Sequence, residues 1–410
     1  MRRVHRGLPR QLRSSLCTLT TAVVLLASLA SAQTARQDAT TTPEWSVGVI
    51  VSQSAGSSLG AQQARAAEIA AAALARGGVY GAPFLVDVRD DAGDPRRAAA
   101  IARELIDQGA LALVCCSAPA ASERVSAVAE ELGVVLLGLD GGSGEPGVWT
   151  LPLRPSTRTQ LTALAVHAAN AGKSGLALMT LDNAFGDDAA EAFERALADA
   201  GRQPLGTVRY PPSASVLTPE ALWAATRAPG AVVVWGLQAD SALALEGLRR
   251  RGWFGPAYVR PETIPTGTWG RVSVSRDPPS APPAASDIWW QVRSAAAPVS
   301  VAALLPPDHP NREQALAARE RLEAAGVRVD PAALANVALV DDALVLLQRA
   351  FETVAALALP PSLPVSSQRQ AVLDALVSAP AQPLAAGTYD ARSGDGRFAR
   401  WQGLVVVTVR

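Results

Sequence analysis

The sequence predicts an α/β fold, in which parallel sheets carry helices on both faces. Short, apolar, β-branched runs such as residues 46–51 are typical of strands buried in a parallel sheet, and alanine-rich helical segments separate these runs along the chain. Asp94 and Pro95 fit the N-cap and the first position of one such helix. In folds of this class the ligand crevice lies at the carboxyl ends of the strands.

The alternation starts afresh after Arg154 and Pro155, so the sequence predicts two similar α/β halves. With 410 residues, the chain is long enough for two lobes with separate cores. The predicted strands are residues 46–51, 84–88, 110–114, 134–139, 175–181, a short one around 208, 231–235 and 404–409. The predicted helices are residues 61–76, one from 95 onward, 120–132, 159–171, 186–200, 219–227, 241–251, 312–325, 332–357 and 369–377.

The first residues have the pattern of a targeting segment. Clustered arginines precede an apolar stretch at residues 16–29, and small residues at 30–32 fit a cleavage site. The apolar stretch is shorter than the ~20 residues that a membrane-spanning helix needs. We therefore expect residues 1–32 to be a signal peptide, residues 33–43 to be a flexible leader, and the mature protein to be secreted or periplasmic and soluble. A retained membrane anchor is the alternative.

Composition argues against a nucleic-acid partner. Basic and acidic residues balance at 37 each, the formal net charge is +0, and no basic stripe with interleaved aromatic residues occurs. Cleavage would leave only Cys115 and Cys116, and adjacent cysteines do not easily reach ordinary disulfide geometry. We expect them to be two buried thiols at a strand end, with a redox pair as the alternative.

The sequence offers no motif for catalysis, a metal or a cofactor. His167 and His309 lie outside any metal-binding or hydrolase pattern, and no GxSxG occurs. Residues 142–147 spell GxGxxG, but Pro146 stands where a dinucleotide site needs a helix to begin. We therefore expect a protein that is not an enzyme, with no catalytic residues, no metal and no cofactor.

An ordered set of motifs spans residues 45 to 405 and resembles the type I periplasmic solute-binding proteins of ABC importers, particularly the leucine/isoleucine/valine-binding branch. The matching segments are residues 54–60, 77–78, 89–95, 133–137, 182–186, 261–262, 340–343 and 387–390. The resemblance implies two doubly wound Rossmann-like lobes with a hinge and an interlobe cleft, joined by three crossovers and closing over a small ligand.

The resemblance also implies how the chain divides between the lobes. After the signal peptide and leader, the expected division is residues 44–154 and 287–385 for the first lobe, and residues 155–286 and 386–410 for the second lobe and the hinge strands.

In that branch, main-chain amides, hydroxyl groups and one acid bind the ligand. Glu262 stands at the position of the acid that binds the ligand's ammonium group, and a carboxylate suits a cation in a dry cleft. Phe185 replaces the usual tyrosine, which keeps the flat apolar wall and loses the hydroxyl. Gln238 stands at a further contact position. Alternatively, Glu262 could be a solvated acidic residue in a loop, and Gln238 could be a solvated residue at the end of a strand.

The predicted contacts of the first lobe follow two strands. Ser117 is the candidate for the family's ligand-binding serine, one or two residues out of register. Gly141 and Gly142 replace residues that include a threonine, so their backbone could donate while the hydroxyl is lost. Asp140 is an additional acid that could face the cleft. Each missing hydroxyl removes a hydrogen bond worth about 1 kcal/mol net, so these changes leave the ligand's identity open.

The function implied is an exported protein that captures a small polar metabolite, an amino acid or amide-like solute, and delivers it to the membrane permease of an ABC importer. Expected partners are therefore the small-molecule ligand and the permease, with no nucleic acid, and the protein itself is expected to be a monomer. The alternative is a ligand-sensing receptor module of the same fold, which hands a signal to a partner protein.

Overall fold

The computed structural model describes residues 44–54, 58–116, 118–140, 147–212, 214–274, 287–328, 330–358, 360, 363–393 and 399–409. Several predicted features lie outside these residues: the signal peptide and leader, Ser117, Gly141 and Gly142. Of the GxGxxG pattern at residues 142–147, only Gly147 is described.

The first lobe contains a five-stranded parallel sheet in the order β2-β1-β3-β4-β5. Its strands are β1 Trp45–Val51, β2 Phe84–Asp90, β3 Ala112–Cys115, β4 Val135–Gly138 and β5 Thr150–Pro152. Neighbouring residues of a strand point to opposite faces: Val49 and Val114 pack in a different core cluster from Ile50 and Leu113. Both faces are therefore buried, which explains the continuous apolar runs in the sequence.

The second lobe contains a seven-stranded sheet. Its strands are β6 Leu176–Leu181, β7 Gly206–Tyr210, β8 Ala231–Trp235, β9 Ala257–Val259, β10 Val272–Ser273, β11 Val292–Ala296 and, after three short strands, β15 Val405–Val409. The order is β10-β15-β11-β9-β8-β6-β7, and β15 is antiparallel to both of its neighbours. The short strands β12 Gln382–Pro383, β13 Thr388–Tyr389 and β14 Ala399–Arg400 form a small antiparallel sheet.

Ten α-helices lie within the described residues: α1 Ser58–Ala75, α2 Pro95–Asp107, α3 Pro119–Leu132, α4 Thr157–Asn170, α5 Ala184–Asp199, α6 Thr218–Thr226, α7 Gln238–Arg250, α8 Arg312–Ala324, α9 Pro331–Ala356 and α10 Val365–Ser378. Asp94 caps α2 as predicted, because its side chain accepts the backbone N–H of Arg96. Helix α9 is long and apolar enough to cross a membrane, but it packs against α1 and most of it is buried. We therefore interpret α9 as a core helix.

The predicted α/β fold class is confirmed, with one correction to the lobe boundaries. The sequence prediction assigned residues 287–385 to the first lobe. In the structure, however, β11 pairs with β9 and β15 in the second sheet. The chain therefore leaves this sheet only after Ala296. The prediction missed β11 because Arg293 and Ser294 interrupt its apolar pattern.

The two cysteines end strand β3. Cys115 and Cys116 are both fully buried, as predicted. The structure places their sulfur atoms in contact across a cis peptide bond, with Cα atoms 3.2 Å apart. The choice between two thiols and a redox pair stays a prediction.

Candidate functional site

Three passages of the chain between the lobes come together beside the strand ends. The chain crosses to the second lobe after β5, returns through the short helix Pro298–Leu304 after β11, and crosses again before β15. The last two passages touch, because the Val299 amide donates to the Ala385 carbonyl at 2.9 Å. The site described below lies at this junction.

Glu262 follows strand β9 and lies between two arginines. Its Oε1 accepts a hydrogen bond from Arg154 Nη2 at 2.8 Å, which links the first passage to the second lobe. Its Oε2 lies 3.7 Å from Arg260 Nε, too far for a hydrogen bond. The Glu262 side chain is 28% exposed, so the pair is only partly open to solvent.

Burial and charge act in opposite directions on Glu262. Burial alone would raise the pKa of this carboxyl, but the guanidinium groups of Arg260 and Arg154, together with a hydrogen bond from the backbone of Glu262 itself, outweigh burial, so the pKa lies below its usual value. Glu262 is therefore ionised at neutral pH. The three side chains form a cluster with two positive charges and one negative charge.

A small cavity lies at the junction of the three passages, lined by Arg154 and Pro155 of the first, Ala297 and Ser300 of the second, and Ala386 and Leu404 of the third, together with Glu262, Gln160 and helix α9. About 40 Å³ is open to the centres of water molecules, which is room for about three waters. Ligand sites for whole metabolites are usually about 300 Å³ or more. The cavity in this arrangement of the lobes is therefore too small for a whole metabolite.

Two buried acceptor atoms at this cavity have no hydrogen-bond donor among the described residues. They are Glu262 Oε2 and Gln160 Oε1. Gln160 is 8% exposed, and its amide nitrogen is already used, since Nε2 donates to the Pro155 carbonyl at 3.2 Å. Buried acceptors without donors are unfavourable unless a further group supplies the hydrogen bond. A solute with N–H or O–H groups can do so.

Phe185 lies in the first turn of α5 and forms an apolar shelf beside the cluster. The Arg260 guanidinium carbon lies 5.3 Å from the centre of the Phe185 ring and 5.9 Å from the Trp235 ring. These distances are typical of cation–π contacts. Phe185 therefore positions Arg260 at the strand ends of the second lobe.

The other predicted residues lie at strand ends without joining this cavity. Gln238 is the first residue of α7 and is exposed, and Asp140 follows β4 and is half-buried. Ser117, Gly141 and Gly142 lie outside the described residues. Among the residues proposed from the sequence, the structure thus brings together Glu262 and, through Arg260, Phe185.

A second polar cluster anchors the third passage to α9. Asp342 accepts hydrogen bonds from the amides of Ala385 and Ala386, at 3.0 and 2.8 Å, and from the Tyr389 hydroxyl at 3.0 Å. Burial, together with the neighbouring Asp341 and against the effect of the hydrogen-bond donors, raises the pKa of this carboxyl to about 7. Both Asp342 and Tyr389 are almost completely buried.

Asn311 completes this anchor from the other side. Its amide nitrogen donates to the carbonyl groups of Leu384 and Gly387, each at 2.8 Å. Asp342 thus binds the N–H groups of residues 385 and 386 while Asn311 binds the carbonyl groups on either side of them. The backbone of the third passage is held firmly against the first lobe.

Sequence reasoning missed Arg154, Gln160 and Arg260. Arg154 was recognised only as the end of the first half, although it is the partner of Glu262. Arg260 directly follows strand β9, but this strand has only three residues and was not predicted, so the sequence carried no signal for Arg260. The pairing of Arg154 with Glu262 spans 108 residues, and no sequence spacing reports it.

The model of the periplasmic binding protein family matches residues 44–263, which is more than half of the chain. The protein therefore belongs to the periplasmic binding protein family. No curated protein matches the chain in sequence.

Solved structures with the same fold cover nearly the whole chain at low identity. An extracellular ligand-binding receptor from Rhodopseudomonas palustris HaA2 has 20% identity and a TM-score of 0.64, covering 90% of this chain and 98% of that one. An ABC transporter substrate-binding protein from Desulfitobacterium hafniense has 17% identity and a TM-score of 0.64, with the same coverage. The leucine binding protein LivK from Thermotoga maritima has 18% identity and a TM-score of 0.57, covering 89% and 95%.

Proposed function

We propose that this protein is exported, captures a small polar metabolite between its two lobes and delivers it to the membrane permease of an ABC importer. The metabolite is an amino acid or an amide-like solute. The observation that supports this most is a pair of buried acceptors, Glu262 Oε2 and Gln160 Oε1, at the junction of the interlobe passages. Neither has a donor in the part of the chain that the structure describes.

In this proposal each residue of the site has a distinct role. Glu262 and Gln160 accept hydrogen bonds from the N–H groups of the solute, and a charged acceptor makes the stronger bond. Phe185 supplies an apolar wall. From the other strand ends, Asp140 and Gln238 approach the solute as the lobes close. Ser117 and the amides of Gly141 and Gly142 are proposed as the remaining contacts, from the sequence resemblance alone.

Hinge closure is the proposed mechanism. A solute that contacts both lobes stabilises the closed arrangement relative to the open one, and the permease recognises the closed form. The cluster at Glu262 is well placed for this coupling because Arg154 belongs to a passage between the lobes. A ligand at Glu262 therefore acts directly on a segment that moves when the lobes rotate.

A thermal-shift screen of amino acids, amides, small acids and alcohols tests this proposal. A ligand present at 100 times its dissociation constant stabilises the folded protein by about 2.7 kcal/mol, which is readily measured. We expect at least one small polar solute to raise the unfolding temperature. A complete screen without any stabilising solute would contradict the proposal.

A further inference from the structure

The Arg260 guanidinium has hydrogen-bonding capacity that the described residues do not use. Its side chain is 18% exposed, lies over the Phe185 ring and has one ionic contact, the 3.7 Å approach of Nε to Glu262 Oε2. Within the part of the chain that the structure describes, this guanidinium donates no hydrogen bond. A guanidinium carries five N–H donors in a planar fork that matches a carboxylate.

The charges at this position also do not balance. Arg154 already occupies Oε1 of Glu262 at 2.8 Å, so the single carboxylate is shared by two cations. A ligand ammonium placed at Oε2 would be a third cation next to two guanidinium groups, and like charges at this range repel. A neutral N–H or O–H donor at Oε2 avoids that repulsion.

We propose that the cleft takes a solute with a net negative charge. Arg260, supported by the Phe185 shelf, binds the carboxylate of the solute, while a neutral N–H or O–H donor of the same solute meets Glu262 Oε2. The chemical class is that of hydroxy acids and N-acylated amino acids, in preference to free amino acids. This inference rests on the proposed function and specifies its ligand.

A charge series on one carbon skeleton tests the inference without any variant. For the side chains of leucine, glutamine and phenylalanine, binding is measured by thermal shift and calorimetry for the 2-hydroxy acid, the N-acetyl amino acid, the free amino acid and the amino acid amide. We expect a 2-hydroxy acid or N-acetyl amino acid to bind at least tenfold more tightly than the matching free amino acid. The amino acid amide, which is cationic and lacks the carboxylate, should bind most weakly.

Variants then assign the preference to Arg260. Arg260→Gln should weaken the tightest acid at least tenfold and reduce its advantage over the free amino acid to within about threefold, whereas Arg260→Lys should retain part of that advantage. Arg250→Gln is the control, because Arg250 is 76% exposed on the same lobe and pairs only with Glu246 within its own helix. It should leave the affinity unchanged.

The outcomes separate the inference from the proposed function. Free amino acids that bind as tightly as the hydroxy acids, or an Arg260→Gln variant with unchanged affinity, would overturn the inference and leave solute binding intact. The same holds if the thermal-shift screen finds a ligand but no member of the charge series binds. If the screen and the series both fail, the proposed function fails and the inference fails with it.

Discussion

Two carboxylates of this protein, the partly exposed Glu262 and the buried Asp342, differ in how their oxygens are used. Asp342 has three donors from its own chain, is almost completely buried, and has its pKa raised to about 7. Glu262 has a hydrogen bond from Arg154, and its Oε2 has no donor among the residues that the structure describes. Its pKa is lowered, because two arginines and its own backbone amide together outweigh burial. Within the described residues, both carboxylate oxygens of Asp342 accept hydrogen bonds, whereas one oxygen of Glu262 does not.

The difference distinguishes a structural anchor from a proposed binding position. A carboxylate whose acceptors are all used fixes the segment that supplies the donors, here the third passage between the lobes. A carboxylate held ionised by neighbouring cations, with an acceptor free, retains the capacity to bind something else. Changes at Asp342 should therefore alter stability, and changes at Glu262 should alter affinity.

Removing the Asp342 carboxylate should have the largest effect. Asp342→Ala removes the acceptor of two buried amides, those of Ala385 and Ala386, and each unsatisfied group costs about 1–3 kcal/mol. We expect the free energy of unfolding in urea to fall by roughly 4 kcal/mol. Asp374→Ala, at an exposed aspartate on α10, is the control and should change it by less than about 0.5 kcal/mol. A similarly small loss in Asp342→Ala would contradict the anchoring role.

The pH dependence of stability should show the same anchor. Because burial raises the pKa of Asp342 from 3.8 to about 7, the folded protein retains a proton here that the unfolded chain has lost. The stabilisation of the folded protein by protonated Asp342 is therefore complete below about pH 4 and is lost as the pH rises to about 7. At about 1.36 kcal/mol per pKa unit, the loss is on the order of 4 kcal/mol.

Unfolding in urea across this range, compared between the wild type and Asp342→Asn, isolates the contribution. The difference in the free energy of unfolding between the two proteins should change with pH in that window and be constant outside it. If the free energies of unfolding of the two proteins differed by a constant amount at every pH, Asp342 would not titrate as described.

Glu262→Gln should change affinity far more than stability. Glutamine has only one acceptor oxygen. If that oxygen accepts the hydrogen bond from Arg154, the amide N–H takes the place of Oε2 and meets the donor of the ligand instead of accepting its hydrogen bond. For a ligand that donates to Oε2, we expect the calorimetric affinity to weaken by about 2 kcal/mol. The free energy of unfolding should change by no more than about 1 kcal/mol, since the ion pair is partly exposed. Glu246→Gln, at an exposed ion pair of the same lobe, is the control. A Glu262→Gln variant with unaltered affinity would remove Glu262 from the site.

Phe185→Leu should have the smallest of these effects. The change keeps an apolar side chain but removes the ring under Arg260, and a cation–π contact of this kind is worth about 0.5–1 kcal/mol. We expect a two- to fivefold loss of affinity for an acidic ligand, as estimated from that energy. Equal affinity for Phe185→Leu and the wild type would show that the shelf does not support Arg260.

The elements that the sequence predicted are those with strong local patterns. Strand β8 is five apolar residues and was predicted exactly where it lies, and the Asp94 cap was visible in two residues. Strands β5 and β9, with three residues each, are too short to show a period, and β11 contains an arginine and a serine. Length and apolar continuity therefore decided what could be predicted.

The candidate site also has a part that the sequence predicted and a part that it did not. Glu262 was predicted because a short local motif resembles that of a known family, and it lies at the junction of the passages. Its pairing with Arg154 and the anchoring of the third passage by Asn311 both join residues far apart in the chain. Such contacts depend on tertiary packing, which single-sequence patterns do not encode. The charge imbalance at Glu262 was therefore visible only in the structure.

A crystal structure of the protein with the best ligand from the thermal-shift screen is the most direct test. We expect the lobes closed around the solute, with an N–H or O–H donor about 2.7–3.2 Å from Glu262 Oε2. A ligand bound away from the junction of the three passages, with Oε2 still lacking a donor, would contradict the account.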